Sequence, residues 1–236
     1  MPGSRPNSSH LRRPVGNLPA AALTLARALA LALGLVNATA QAGSQQYEPM
    51  SAAVRTALAA AVSDDSPGEA QFDSVLDKVE WLAAMSAHLP RRWKPDHYQR
   101  MAFLDTVRYE AQRAGLDPHL VLGLIEVESG FRRYAISSAG ARGYMQVMPF
   151  WASVIGDRDP SALFDIRANL RYGCTILRHY LDIERGNLFR ALGRYNGSLG
   201  RAEYPNMVLR AWQRWEARAR PVAVNRVAPV AVADDR

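Results

Sequence analysis

The stretch DPHLVLGLIEVESG, Asp117 to Gly130, constrains the fold more than any other part of the chain. Asp117 can accept hydrogen bonds from the first free backbone N–H groups of a helix, and Pro118 fits the first turn because it has no N–H to lose. Leu120, Val121, Leu122, Leu124, Ile125 and Val127 then leave little polar face, and Ser129-Gly130 ends the run. A helix that is apolar on most sides has to be wrapped by other elements, so this one is expected at the centre of a domain.

The rest of the sequence supplies helices to wrap it. Phe72, Val75, Leu76, Val79 and Leu82 recur at three- and four-residue intervals and predict a helix that packs through those residues and stops by Pro90. Met101, Leu104, Val107 and Ala111 predict a second over Asp96 to Ala114, with Gly115 at its exit. Ile166 to Glu184 reads as a long helix stopped at Gly186. NLFRALGR reads as a short one capped by Asn187, and YNGS as a loop. Pro205 opens a last helix bearing Met207, Val208, Ala211, Trp212 and Trp215. No long alternating run appears, so the expected class is mainly α.

Outside these helices the chain changes character. Residues 1–40 join a basic start (Arg5, Arg12, Arg13) to an Ala/Leu-rich stretch and end at NATAQAG, the pattern of a cleaved export signal that implies a periplasmic protein. The uninterrupted apolar run, Ala28 to Val36, is too short for a spanning helix, which needs about 20 residues. Residues 41–70 read as a flexible linker with one short helix around Val54 to Val62, 71–115 as an N-terminal helical extension, 116–220 as the main domain, and 221–236 as a flexible tail. The formal net charge is +7, and loss of the leader would take four arginines and no acid with it. What remains, including a cluster at Arg91, Arg92 and Lys94, reads as a solvated basic face.

Several chemistries lack support. Cys174 is the only cysteine; its spacing with Leu170, Leu177 and Leu181 puts it on an apolar helical face as a buried core residue, and no internal disulfide can form. The five histidines (His10, His88, His97, His119, His179) are scattered, and there is no HExxH, Walker loop or GxGxxG. No cofactor or metal is expected, and nucleic-acid binding has no motif behind it.

Two glutamates sit two residues apart at the end of the central helix. At about 100° per residue, Glu128 falls among Val121, Leu124 and Ile125, while Glu126 points about 160° away. They cannot act as one pair. Glu128 is a carboxyl among aliphatic neighbours, where desolvation favours the protonated form a general acid needs. Asp157, Asp159 and Asp165, in GDRDPSALFD, are accounted for as turn and cap residues, so no second catalytic carboxylate is apparent.

ESGFRRYAISSAGARGYMQVMP, followed later by RYNGS, resembles the transglycosylase module of soluble-type lytic transglycosylases, a family with a goose-type lysozyme-like fold. The resemblance runs from about Leu116 to Trp215. It implies Glu128 as the catalytic acid and base, with Ser129, Ser137, Met145, Gln146, Tyr195 and Asn196 around the sugar cleft, and peptidoglycan glycan strands as the substrate. One carboxyl suffices in this family, because the N-acetyl group and C6 hydroxyl of the muramic acid take over the nucleophilic steps. Tyr144 stands where the family has Leu and Arg194 where it has Ala, which puts the cleft wall in question. A lysozyme-like muramidase, or an idle wall-binding or secretion-associated protein serving envelope machinery, are the alternative readings.

Overall fold

The computed structural model describes residues 45–63, 68–90 and 96–219. The leader read over 1–40, the tail read over 221–236 and the Arg91, Arg92, Lys94 cluster lie outside them. In chain order the α-helices are α1 (Ala52–Ser63), α2 (Val75–His88), α3 (His97–Arg113), α4 (Pro118–Ser129), α5 (Phe150–Ile155), α6 (Ile166–Ile183), α7 (Leu188–Asn196) and α8 (Glu203–Ala219). A 3-10 turn, Pro160–Phe164, lies between α5 and α6. The protein is mainly α. Among the described residues the β structure is limited to isolated antiparallel bridges, Ile136 to Arg142 and Arg142 to Val147, in the segment between α4 and α5.

Helix α4 is the central element, as its composition requires. Val121, Leu122, Leu124 and Ile125 are fully buried, and Asp117 caps the helix by accepting from the backbone of His119 (2.6 Å) and Leu120 (3.1 Å). Gly130 closes it in the left-handed region, φ 57°, where glycine carries no steric cost. Helix α8 packs closest to it. A Cβ on Gly123 would lie 2.7 Å from the backbone nitrogen of Trp212, so the contact depends on glycine. Val208, Ala211 and Trp215 face the core as their spacing predicts, whereas Met207 is exposed and Trp212 half-buried.

Helix α2 forms where expected but turns a different face inward. Val75, Leu76 and Val79 are 81%, 63% and 58% exposed, while Trp81, Leu82 and Met85 are buried. Two apolar stripes compete on this helix, and the one carrying the indole removes more apolar area from water. Trp81 Nε1 also donates to His119 Nε2 at 2.8 Å, fixing the rotation against the start of α4. Residues 45–63, read as part of a linker, pack as well. Val62 joins the core, and the buried Gln45 accepts from Trp151 Nε1 (3.0 Å) on α5.

Helices α3 and α6 are tied through a buried ion pair that periodicity does not reveal. Glu110 accepts from Arg171 Nη2 at 3.0 Å, and the side chains are 0% and 3% exposed. Cys174, one turn further along α6, is buried as predicted, and burial pushes its thiol pKa well up. The acidic residues of the 157–165 stretch serve the backbone. Asp157 accepts from the amide of Asp159, Asp159 caps the 3-10 turn through Ser161, and Asp165 caps α6 through Ala168.

Candidate active site

Glu128 sits in the last turn of α4, 3% exposed. Its Oε1 accepts a hydrogen bond from the hydroxyl of Tyr204, in the first turn of α8, while Oε2 is buried with no hydrogen-bond partner among the described residues. Burial drives the Glu128 carboxyl up to about 8, with the Tyr204 bond pulling the other way. The acid is therefore protonated at neutral pH, and Oε2 is the oxygen free to carry the proton. Burial and the neighbouring Glu128 raise the Tyr204 hydroxyl well above its ordinary range, so it stays a donor. Glu126 faces elsewhere, accepting from Arg214 Nη2 (2.6 Å) and Trp215 Nε1 (2.7 Å), and it fastens α4 to α8.

After Ser129 the chain reverses sharply. Phe131 follows Gly130 into the left-handed region, φ 62°, which a bulky residue rarely adopts, and its buried ring is held edge-on by Trp215, with centroids 5.6 Å apart. The bridged segment 135–147 then folds back. The Ser137 amide donates to the Ala141 carbonyl, and the half-buried Ser137 hydroxyl accepts from the Ala141 amide (3.1 Å). Gln146 has φ 49°, a second strained position, which its own side chain supports by donating to the carbonyls of Gly143 (2.9 Å) and Ala135 (3.2 Å).

Met145 is fully buried, with its side chain against α6, where a Cβ on Gly173 would lie 2.4 Å from its sulfur. Its carbonyl accepts from the Tyr195 hydroxyl at 2.8 Å. Ser129 donates back to Ile125 in its own helix (3.2 Å), and Asn196 is buried in the last turn of α7. Tyr195 and Tyr204 are thus brought to Glu128: Tyr204 bonds it directly, and the Tyr195 hydroxyl is raised well up by burial first and by the Glu128 carboxylate second. Ser137 and Gln146 belong to the folded-back segment, and the Gln146 amide turns inward. Asn169 of α6 clasps that segment by accepting from the amide of Met145 (2.8 Å) and donating to the carbonyls of Arg142 (2.9 Å) and Leu163 (2.8 Å).

A family model described as "Transglycosylase SLT domain" matches residues 105–207. That stretch, less than half of the chain, is thus similar to transglycosylase SLT domains. The chain is also similar to proteins named "Membrane-bound lytic murein transglycosylase C". The one from Actinobacillus pleuropneumoniae serotype 5b is 53% identical over 47 residues, 20% of this chain and 13% of that one. The one from Edwardsiella ictaluri is 32% identical over 123 residues, 45% of this chain and 34% of that one, and the one from Mannheimia succiniciproducens 39% over 83, 32% and 23%. The chain therefore spans about a third, at most, of the length of these relatives.

The two positions that depart from the family pattern, Tyr144 and Arg194, have separate consequences in the structure. Arg194 pins the segment ahead of α1, donating to both carboxylate oxygens of Glu48 (2.7 and 3.0 Å) while also pairing with Glu184. Tyr144 is buried with its ring tilted at 47° against Phe103, centroids 4.9 Å apart. It helps floor a cleft of about 790 Å3 whose walls include none of Glu128, Ser137, Gln146 and Tyr195.

Tyr204, the one side chain among the described residues that is bonded to Glu128, and Asn169, which fixes Met145, are not legible in the sequence because neither carries a spacing signal. Replacing Tyr204 with Phe removes the bond that lowers the Glu128 pKa. A pH profile of strand cleavage should then show its alkaline limb moved to higher pH together with a reduced maximal rate. An unmoved limb would mean that Tyr204 only packs.

Proposed function

We propose that the protein is an exported lytic transglycosylase that cleaves the bond between N-acetylmuramic acid and N-acetylglucosamine in peptidoglycan and leaves 1,6-anhydro ends. The observation that carries this reading is the Glu128 carboxyl: within the SLT match, buried, held up to about 8, bonded to Tyr204 through one oxygen and free at the other.

Such a group can act twice. Its proton passes to the glycosidic oxygen as the bond to the muramic acid anomeric carbon breaks, and the substrate's N-acetyl oxygen closes on that carbon. The carboxylate left behind keeps the Tyr204 hydrogen bond. It then takes the C6 hydroxyl proton as that oxygen displaces the N-acetyl group, which returns Glu128 to its acid form without water. Tethering of the C6 hydroxyl to the same ring favours this attack. The three aspartates of the 157–165 stretch are already engaged with backbone amides, which fits a route that needs one enzyme carboxyl.

Ser137 has the most accessible hydroxyl of the residues carried by the resemblance, and with Asn196 it is assigned to substrate contact. Tyr195, Met145, Gln146 and Ser129 spend their polar groups or their bulk inside the protein and act by holding the segment beside Glu128 in shape. Incubation with murein sacculi followed by mass spectrometry of the released muropeptides should give anhydro-terminated products. Reducing muramic acid ends would assign hydrolysis instead, and no release would leave a wall-binding role. The leader at 1–40 supports a periplasmic location, and recovery of mature protein that still carries Met1 would remove that support.

A further inference from the structure

The cleft floored by Tyr144 lies between α3, the turn at 130–134 and the start of α6. Phe103, Phe131 and Tyr144 close its bottom but are at most 2% exposed, so its accessible apolar surface comes from Tyr134, 68% exposed, and the half-buried Ile166. Its rim carries Arg132, Arg133 and Arg167, against one acidic residue, Asp165, whose carboxylate is engaged in capping α6. None of the three arginines is ion-paired with a carboxylate of another described residue. Arg132 donates through Nε to the carbonyl of Ser129 (2.9 Å) and Arg133 through Nε to that of Phe164 (2.9 Å). The chain thereby fixes the stem of each guanidinium and leaves its outer Nη edge, the edge that pairs two-pronged with a carboxylate, for a ligand. The first turn of α6 adds the positive end of a helix of 18 residues.

A neutral sugar is poorly matched to three arginines that have no carboxylate partner among the described residues, and an exposed tyrosine beside a cationic rim suits a short chain that has apolar side groups and carries carboxylates. We propose that this cleft binds the acidic peptide borne by the glycan strand. The inference rests on the reading of the substrate as peptidoglycan, and it assigns that substrate's peptide to a place the catalytic carboxyl does not occupy. The two are close along the chain. Gly130 and Phe131 of the cleft wall follow Glu128 by two and three residues, so a strand reacting at Glu128 could lay its peptide over this turn.

The test uses the full chain and a synthetic N-acetylated tetrapeptide with two free carboxylates, compared with its fully amidated counterpart by titration calorimetry. The acidic peptide should bind at least ten-fold tighter than the amide and weaken as salt rises. Arg132→Ala and Arg167→Ala should each weaken it at least five-fold, and Arg210→Ala on the exposed side of α8 should not. Two arginine variants from different elements guard against a misfolded single variant, and each is checked by circular dichroism. Equal binding of acid and amide, no loss in either arginine variant, or displacement by inorganic phosphate at matched concentration would overturn the proposal. The assay needs no turnover, so Glu128→Gln protein should bind equally well. A chain that makes anhydro products without binding the peptide would refute the cleft alone, and one that binds without cleaving would refute the catalytic reading alone.

Discussion

Glu128→Gln should abolish strand cleavage and at the same time make the protein more stable than wild type in mildly alkaline solution. The first effect follows because Gln keeps the shape of the side chain but can neither release nor collect the proton. General acid–base help contributes about 10²–10⁴-fold, and this group would serve in both halves of the reaction, so the loss is expected at the upper end. The second effect follows from burial. The folded-state value of about 8 lies above the ordinary 4.5, so the folded protein holds a proton on Glu128 that the unfolded chain releases. The stability this group contributes is complete below the ordinary carboxylate range and is lost as pH rises through the window up to about 8. Across that window the wild type should lose about 3–5 kcal/mol relative to the Gln variant. Urea unfolding of both proteins at pH 5 and pH 8 measures the difference. A gap that does not widen with pH would mean that Glu128 is solvated in the folded state. Cleavage by the wild type should decline above about pH 8 for the same reason, since the carboxyl then enters the reaction already ionised.

What the sequence reveals of this site divides by the range of the interactions. The phase of Glu128 against Glu126, the Asp117 cap and the Gly130 exit all depend on residues within a few positions of one another, and the helical period fixes them. Tyr204 reaches Glu128 from 76 residues away, and Asn169 reaches Met145 from 24. In one dimension each reads as an ordinary helical residue. The roles of Met145 and Tyr195 divide the same way: their motif positions are legible, but the direction of the thioether toward Gly173 and of the phenol toward the Met145 carbonyl is set by packing against α6 and α7. Helix α2 illustrates the limit for the fold. Its existence is local, but whether Val75, Leu76 and Val79 or Trp81, Leu82 and Met85 face inward depends on His119, at the start of a different helix.

The largest stability effect away from the site is expected at Glu110. Glu110→Ala would leave the Arg171 guanidinium, 3% exposed, buried between α3 and α6 without its carboxylate. Breaking a buried pair from one side costs about 3–5 kcal/mol, because the remaining charge keeps its desolvation penalty and loses its compensation. Arg113, 3.7 Å from the same carboxylate, loses a partner too and adds to the effect. Cys174 offers a local readout: it is 1% exposed on the same helix, so its thiol reacts only when this region opens. Labelling of Cys174 should accelerate sharply in Glu110→Ala, in parallel with a lower urea midpoint. If the loss comes from the stranded charge, removing both partners as Glu110→Leu with Arg171→Met should restore most of the midpoint and slow the labelling again. A double variant as unstable as Glu110→Ala would instead mean that the pair's geometry, and not its charge balance, holds α3 on α6.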